Sequence, residues 1–168
     1  KGQANLLKAL IWLAKVQKPD GSWGDSKKVS QALSGLALLT FLAHGETPQS
    51  KRFGNTVKKS IQWLVEAPMD VKSSHAYPHA IRAYALAEAY TMTGISVIEG
   101  PLLECMDIII KGQQEGGCFD YKYNKDTRQD LSIAGWNYQA MKAAYGTGLE
   151  IPGLEDGIYK AIAWLKKM

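Results

Sequence analysis

Apolar residues along this chain form two alternating kinds of segment. In the first kind they keep to one side of a helix, as between residues 57 and 65, where they recur at i, i+4, i+7 and i+8. Polar side chains occupy the opposite face, which is typical of a surface helix. The second kind, residues 30–44, 77–93 and 131–145, is apolar on nearly all sides and predicts helices covered by neighbours. The alternation predicts an all-α fold of helical hairpins in two layers, with about seven helices.

A short segment recurs within the surface helices. Residues 8–13 return as 59–64 and 160–165, and residues 107–113 are a degenerate copy. The aligned tryptophans are Trp12, Trp63 and Trp164, and Ile108 takes the same place in the degenerate copy. A period of about fifty residues indicates a helical repeat. We therefore predict that residues 1–168 form a single domain segment. Its repeat units span about 1–54, 55–96, 97–152 and a truncated 153–168.

Each apolar helix is followed by a glycine. Gly45, Gly94 and Gly146 stand just after the three segments. Glycine adopts the left-handed conformation that closes a helix at little cost, so we expect each glycine to end its helix. An extended stretch at 118–123 is the only candidate strand.

The most specific motif follows the first surface helix. Its defining residues are Trp12, Gln17, Gly21 and Trp23. Gln113, Gly117 and Phe119 repeat its second half in weaker form, whereas residues 59–70 keep only the helical half. A glutamine at this place can offer its amide to backbone groups at the end of a neighbouring helix, with the tryptophan covering that contact. We interpret these residues as structural.

Residues 8–24 resemble the QW repeat of squalene and hopene cyclases. Residues 130–144 and 148–152, with stretches at 77–81 and 86–90, are similar to the prenyltransferase/squalene-oxidase repeat proteins of bacteria. The resemblance implies the α/α-toroid fold of the terpenoid cyclase superfamily, with the tryptophan-bearing helices outside. Seven helices would make a partial toroid, an open arc. Such an arc leaves the flank of its last helices uncovered, which predicts an exposed apolar patch and self-association through that edge.

Catalytic motifs of the related enzyme classes are absent from the sequence. It contains no Asp-x-Asp-Asp or Asp-Asp-x-x-Asp cluster, no Asp-x-Cys element of a zinc set and no thioester sequence. We therefore expect a non-catalytic binding or scaffold module that needs no cofactor and holds an apolar ligand or a protein partner on its concave face. One alternative is part of a cyclase-like or prenyltransferase-like enzyme with catalytic residues outside this fragment. Another is a purely structural solenoid.

Candidate binding residues lie on the apolar helices or at their starts. They are Tyr77, His79, Tyr84, Asp130, Ser132 and Trp136. The resemblance suggests aromatic side chains that line a cavity, although such residues are more often core. Asp130 and Ser132 also fit a helix N-cap. His75 and His79 are weak zinc candidates, because only Asp70 could join them, and a neutral structural His79 is the alternative.

Charge and cysteine content narrow the function classes further. The chain has a net charge of +4, and its lysines occur in scattered pairs instead of a basic stripe, which disfavours a nucleic-acid partner. No apolar stretch reaches the roughly 18 residues that a membrane span needs. Two cysteines, Cys105 and Cys118, do not make a disulfide framework, so the cellular compartment is left open.

Overall fold

A computed structural model describes residues 2–68, 76–125 and 128–168, and within these ranges it leaves the side chains of Lys27 and Lys28 undescribed. The described residues form seven α-helices and one 3-10 turn, at Ser96–Ile98, and include no β-strand. The helices are α1 (Gly2–Lys15), α2 (Lys27–Ala43), α3 (Gly54–Glu66), α4 (Ala76–Thr93), α5 (Glu99–Gly112), α6 (Leu131–Gly146) and α7 (Leu154–Leu165). The predicted all-α class is confirmed, whereas the extended stretch at 118–123 forms turns and loops.

Helix α4 is the centre of the fold. It packs along α2 on one side and along α6 on the other, and it also contacts α3 and α5. Its sequence is rich in alanine, which favours helix and lets neighbouring helices approach closely. A Cβ added at Gly35 of α2 would lie 2.9 Å from the Cγ2 atom of Ile81, so α2 and α4 meet at a glycine. The helices predicted to be covered by neighbours therefore form one contiguous row.

The one-sided apolar pattern is realised in two of the surface helices, α3 and α5. Helix α3 buries Val57, Ile61 and Leu64 while its opposite face stays exposed. Helix α5 does the same with Leu102 and Met106. Among the described helices, none combines the length and apolar content of a membrane span.

Two of the three predicted helix ends are confirmed. Gly45 and Gly94 have φ angles of 85° and 62°; Gly94 directly follows α4, and Gly45 follows α2 after one intervening residue, His44. The prediction for Gly146 is wrong, because this residue is still part of α6 and the left-handed residue is Gly148, with φ of 73°. The N–H of Thr147 donates to the carbonyl oxygen of Ala144 at 3.1 Å, and the N–H of Gly148 to that of Tyr145 at 3.4 Å, so the last turn continues past Gly146.

Large apolar side chains are exposed at both ends of the row of helices. On α6, α7 and the residues after it they are Leu131, Tyr145, Tyr159, Ile162, Leu165 and Met168. On α1, α2 and the loop between them they are Leu6, Ile11, Trp12, Val16, Val29, Leu33 and Leu36. The expected apolar surface is present at both ends, not at the last helices alone. Self-association through it stays a prediction.

Candidate functional site

Gln17 ties the loop after α1 to the start of α3. Its Nε2 donates to the carbonyl oxygen of Gly21 at 2.9 Å and to that of Thr56 at 3.0 Å. Thr56 is the third residue of α3, so one amide fixes both the shape of the loop and the position of the next surface helix. This matches the structural role expected for the glutamine, with a helix carbonyl as its partner.

Gly21 lets the same loop touch α3 directly. Its φ is 95°, a conformation that residues with a Cβ rarely adopt. A Cβ at this position would overlap the carbonyl oxygen of Lys59 and lie 2.6 Å from the carbonyl carbon. Backbone therefore packs on backbone, and only glycine leaves room for it.

The loop after α5 has the same geometry. Gln113 Nε2 donates to the carbonyl oxygens of Gly117 and Gly157, each at 2.9 Å, and Gly157 lies in the first turn of α7. Gly117 has φ of 99°, and a Cβ there would overlap the carbonyl oxygen of Lys160. We call this arrangement the glutamine–glycine joint. In the first joint Gln17 and Gly21 contact α3, and in the second Gln113 and Gly117 contact α7. The weaker sequence motif is thus a complete structural copy.

The aromatic residue two positions after each glycine differs between the joints. Trp23 is 6% exposed, and its Nε1 donates to the carbonyl oxygen of Leu13 at 2.9 Å. Phe119 is fully buried in the matching place and has no such donor. At the second joint the Tyr138 hydroxyl instead donates to the carbonyl oxygen of Gly117 at 2.9 Å. Both rings contribute to the core, and each joint keeps one aromatic hydrogen-bond donor.

The three aligned tryptophans have unequal surroundings. Trp63 is half-buried. Trp164 is also half-buried, and its Nε1 donates to Oε1 of Gln129 at 3.0 Å. Trp12 is 62% exposed on α1. An equal position in the repeat therefore does not give equal burial.

Three of the candidate binding residues meet where α4 and α6 begin. Asp130 caps α6, because its Oδ1 accepts from the backbone N–H groups of Ser132 at 3.0 Å and Ile133 at 3.2 Å. The hydroxyls of Tyr77 and Ser132 are hydrogen-bonded to each other. Tyr121, in the loop before α6, donates its hydroxyl to Oδ2 of Asp130 at 2.8 Å. This polar cluster is a helix cap extended by two tyrosines.

The cap makes the stability of the protein depend on acid pH. Hydrogen bonds from the Ser132 hydroxyl, the Tyr121 hydroxyl and the backbone lower the pKa of Asp130 to about 2. A depressed carboxyl pKa adds stability that is complete above the unfolded value, near 4, and is lost as the pH falls toward 2. We expect the unfolding free energy of the wild-type chain to fall more between pH 5 and pH 2 than that of the Asp130→Asn variant. Urea unfolding at several pH values measures the difference, and parallel curves would contradict it.

His79 lies inside the molecule and not on the exposed surface. It is 3% exposed, and its Nε2 lies 3.0 Å from the carbonyl oxygen of Cys105 on α5. Burial lowers the pKa of His79 to about 4, so the ring is neutral at physiological pH and donates from Nε2. These contacts are compatible with a neutral structural His79. His75 and Asp70 lie outside the described residues, and among the described residues no three His, Cys, Asp or Glu side chains form a group that could hold a metal ion.

Tyr84 lines a cavity between α2 and α4. The cavity has a volume of about 510 Å³. Its other lining residues are Leu6, Leu36, Leu39, Thr40, Leu42, Ala43, His44, Glu88 and Met92. Trp136 is half-buried on α6, and it does not line this cavity. The structure therefore places Tyr84 and Trp136 in different surroundings.

The fold and these contacts define an all-α protein in which one loop joint links successive surface helices twice. Comparison of the chain with protein-family models, with curated proteins and with solved structures finds no match.

Proposed function

We propose that this chain is a non-catalytic binding module of the terpenoid cyclase type, a toroid segment that holds an apolar ligand on the surface formed by its apolar helices. The observation that carries the proposal is the cavity lined by Tyr84. Its walls come mainly from two neighbouring apolar helices, α2 and α4, with Leu6 of α1 and His44 beside them, and its size lies within the range of about 300–1,000 Å³ typical of small-molecule sites. Of the two partners expected from the sequence, an apolar ligand fits this cavity better than a protein does.

The lining combines apolar contact with a few polar groups. Leu36, Leu39 and Met92 supply flexible apolar surface, and methionine adapts readily to ligands of different shape. Tyr84 and Glu88 stand one helical turn apart on α4 and supply a hydroxyl and a carboxylate. Burial, followed by the charge of Glu88, raises the pKa of Tyr84, so the hydroxyl stays protonated and can donate a hydrogen bond. Such a lining suits a long hydrocarbon with one polar end.

A labelled C15–C30 isoprenoid series tests the proposal by fluorescence titration. We expect saturable binding that the Tyr84→Ala variant weakens about tenfold, because loss of one aromatic contact and one donor is worth roughly 1.4 kcal/mol. Tyr159→Ala is the matched control, since Tyr159 is 69% exposed on α7, far along the row from the cavity. Absence of saturable binding, or equal weakening by both substitutions, would overturn the proposal.

Trp136 tests how far the binding surface extends. A ligand that reaches from α2 across α4 to α6 would lose affinity in the Trp136→Ala variant as well as in Tyr84→Ala. A ligand confined to the cavity would respond to Tyr84 alone. The titrations are repeated with added zinc, because affinity that depends on the metal would favour the prenyltransferase-like alternative.

A further inference from the structure

The glutamine–glycine joint covers the same face of both helices that receive it. Counting back from the aligned tryptophans, Thr56 of α3 corresponds to Gly157 of α7, and Ser60 corresponds to Ala161. The first pair accepts the glutamine amides. Ser60 is fully buried and Ala161 is only 5% exposed. The face is therefore an established interface that the chain forms twice.

Helix α1 has the same face without a cover. The corresponding residues are Asn5, Ala9 and Trp12, and all three are exposed. The difference is largest for the small residue, because Ala9 is exposed where Ser60 and Ala161 are buried. None of the described residues of the chain closes over this part of α1.

The corresponding face of helix α5 is covered as well, although the loop after the previous surface helix, α3, contains no glutamine. Cys105 stands in the place of Ala9 and is fully buried. Its carbonyl oxygen accepts a hydrogen bond from His79, in place of contact with a joint. Of the four surface helices of the described chain, α1 alone leaves this face to solvent.

We propose that the face of α1 formed by Asn5, Ala9 and Trp12 is a docking surface for one further repeat unit. The partner is a polypeptide segment that carries a surface helix followed by a Gln-x3-Gly-x-Trp/Phe loop. Its glutamine amide donates to the carbonyl oxygen of Asn5, its glycine packs on the backbone of Lys8, and it covers part of Trp12, since Trp63 and Trp164 are half-buried. The same contacts exist on α3 and α7. There the carbonyl oxygens of Thr56 and Gly157 accept from the glutamines, and the glycines pack on the backbone of Lys59 and Lys160.

A groove beside this face extends the contact. It has a volume of about 450 Å³ and runs between α1, α2 and the loop that joins them, with walls that include Trp12, Val16, Leu33 and Leu36. These four side chains are among the exposed large apolar residues of the molecule. A packed neighbouring hairpin would remove them from water, as α4 removes the opposite side of α2. A second copy of the chain does not provide the occupant, because both of its joints are already docked on its own α3 and α7.

The test adds one unit in the register that the chain itself uses. Gly2 and Leu154 each stand ten residues before an aligned tryptophan, so a copy of residues 97–153 fused directly before Gly2 presents its loop to α1 as the original presents it to α7. An Ala9→Cys substitution reports coverage through its alkylation rate, since the two native cysteines are buried and the two cysteines of the added copy are replaced by serine. We expect alkylation at least about tenfold slower in the fusion than in the unfused chain, and partial recovery when the added copy carries Gln113→Ala.

Two controls keep the result interpretable. A cysteine introduced at the exposed Ala163 of α7 should react equally fast with and without the added unit. An unchanged rate at Ala9→Cys in the fusion would overturn the proposal, as would protection that does not respond to Gln113→Ala in the added copy. Protection of the unfused chain that increases with protein concentration would assign the face to self-association instead and would also overturn it.

Discussion

Replacing Gly117 with alanine is expected to destabilise the protein by roughly 3–4 kcal/mol. The backbone at this position has φ of 99°, which an alanine adopts only under strain. The added Cβ would also overlap the carbonyl oxygen of Lys160 and lie 2.6 Å from its carbonyl carbon. That oxygen belongs to helix backbone, so it cannot move aside as the tip of a flexible side chain can. Urea unfolding followed by far-UV circular dichroism measures the loss.

Gly45→Ala separates the two causes of this loss. Gly45 has φ of 85°, but a Cβ there would meet no described atom within 4 Å. We expect it to cost about 1 kcal/mol, the strain of the left-handed conformation alone. The difference between the two variants is then the cost of separating the loop from α7. Equal losses would show that the contact between Gly117 and Lys160 contributes nothing.

The regular parts of the fold could be predicted because their signals are local. One-sided and all-round apolar patterns each depend on residues within two or three helical turns, and they correctly separated α3 from α4. The left-handed glycine that follows α6 was predicted two residues early, at Gly146 instead of Gly148. Both glycines fit a helix end equally well, and the choice depends on where the N–H of Thr147 bonds.

The contacts that build the candidate site could not be predicted, because they join residues far apart in the chain. Tyr77 and Ser132 are separated by 55 positions, and neither segment contains a signal that indicates contact with the other. His79 is buried because α5 packs over it and supplies the carbonyl of Cys105. The second joint was predicted only as a weaker copy of the motif, for another reason. Phe119 replaces a tryptophan, so the motif looks weak, although the glutamine and the glycine carry the geometry.

Changing Gln113 to glutamate is expected to destabilise the protein by roughly 3–5 kcal/mol at pH 8, the range for a buried charge without a partner. Gln113 is 6% exposed, and its amide donates to two carbonyl oxygens. An ionised carboxylate in that place has no proton to donate and faces two acceptors. We expect the loss to be smaller at pH 5, because the folded state raises the pKa of the new carboxyl group and a protonated carboxyl can donate one of the two bonds.

The sign of this pH dependence distinguishes the joint from simple packing. A folded-state pKa above the unfolded value means that the folded protein binds more protons, so its unfolding free energy falls as the pH rises. Gln139→Glu is the control, since Gln139 is exposed on α6 and a glutamate there should be nearly neutral in effect at both pH values. A loss for Gln113→Glu that is equal at pH 5 and pH 8 would mean that shape alone matters at this position. Destabilisation that grows with pH would instead show that a negative charge is not tolerated at this buried position between the two carbonyl oxygens.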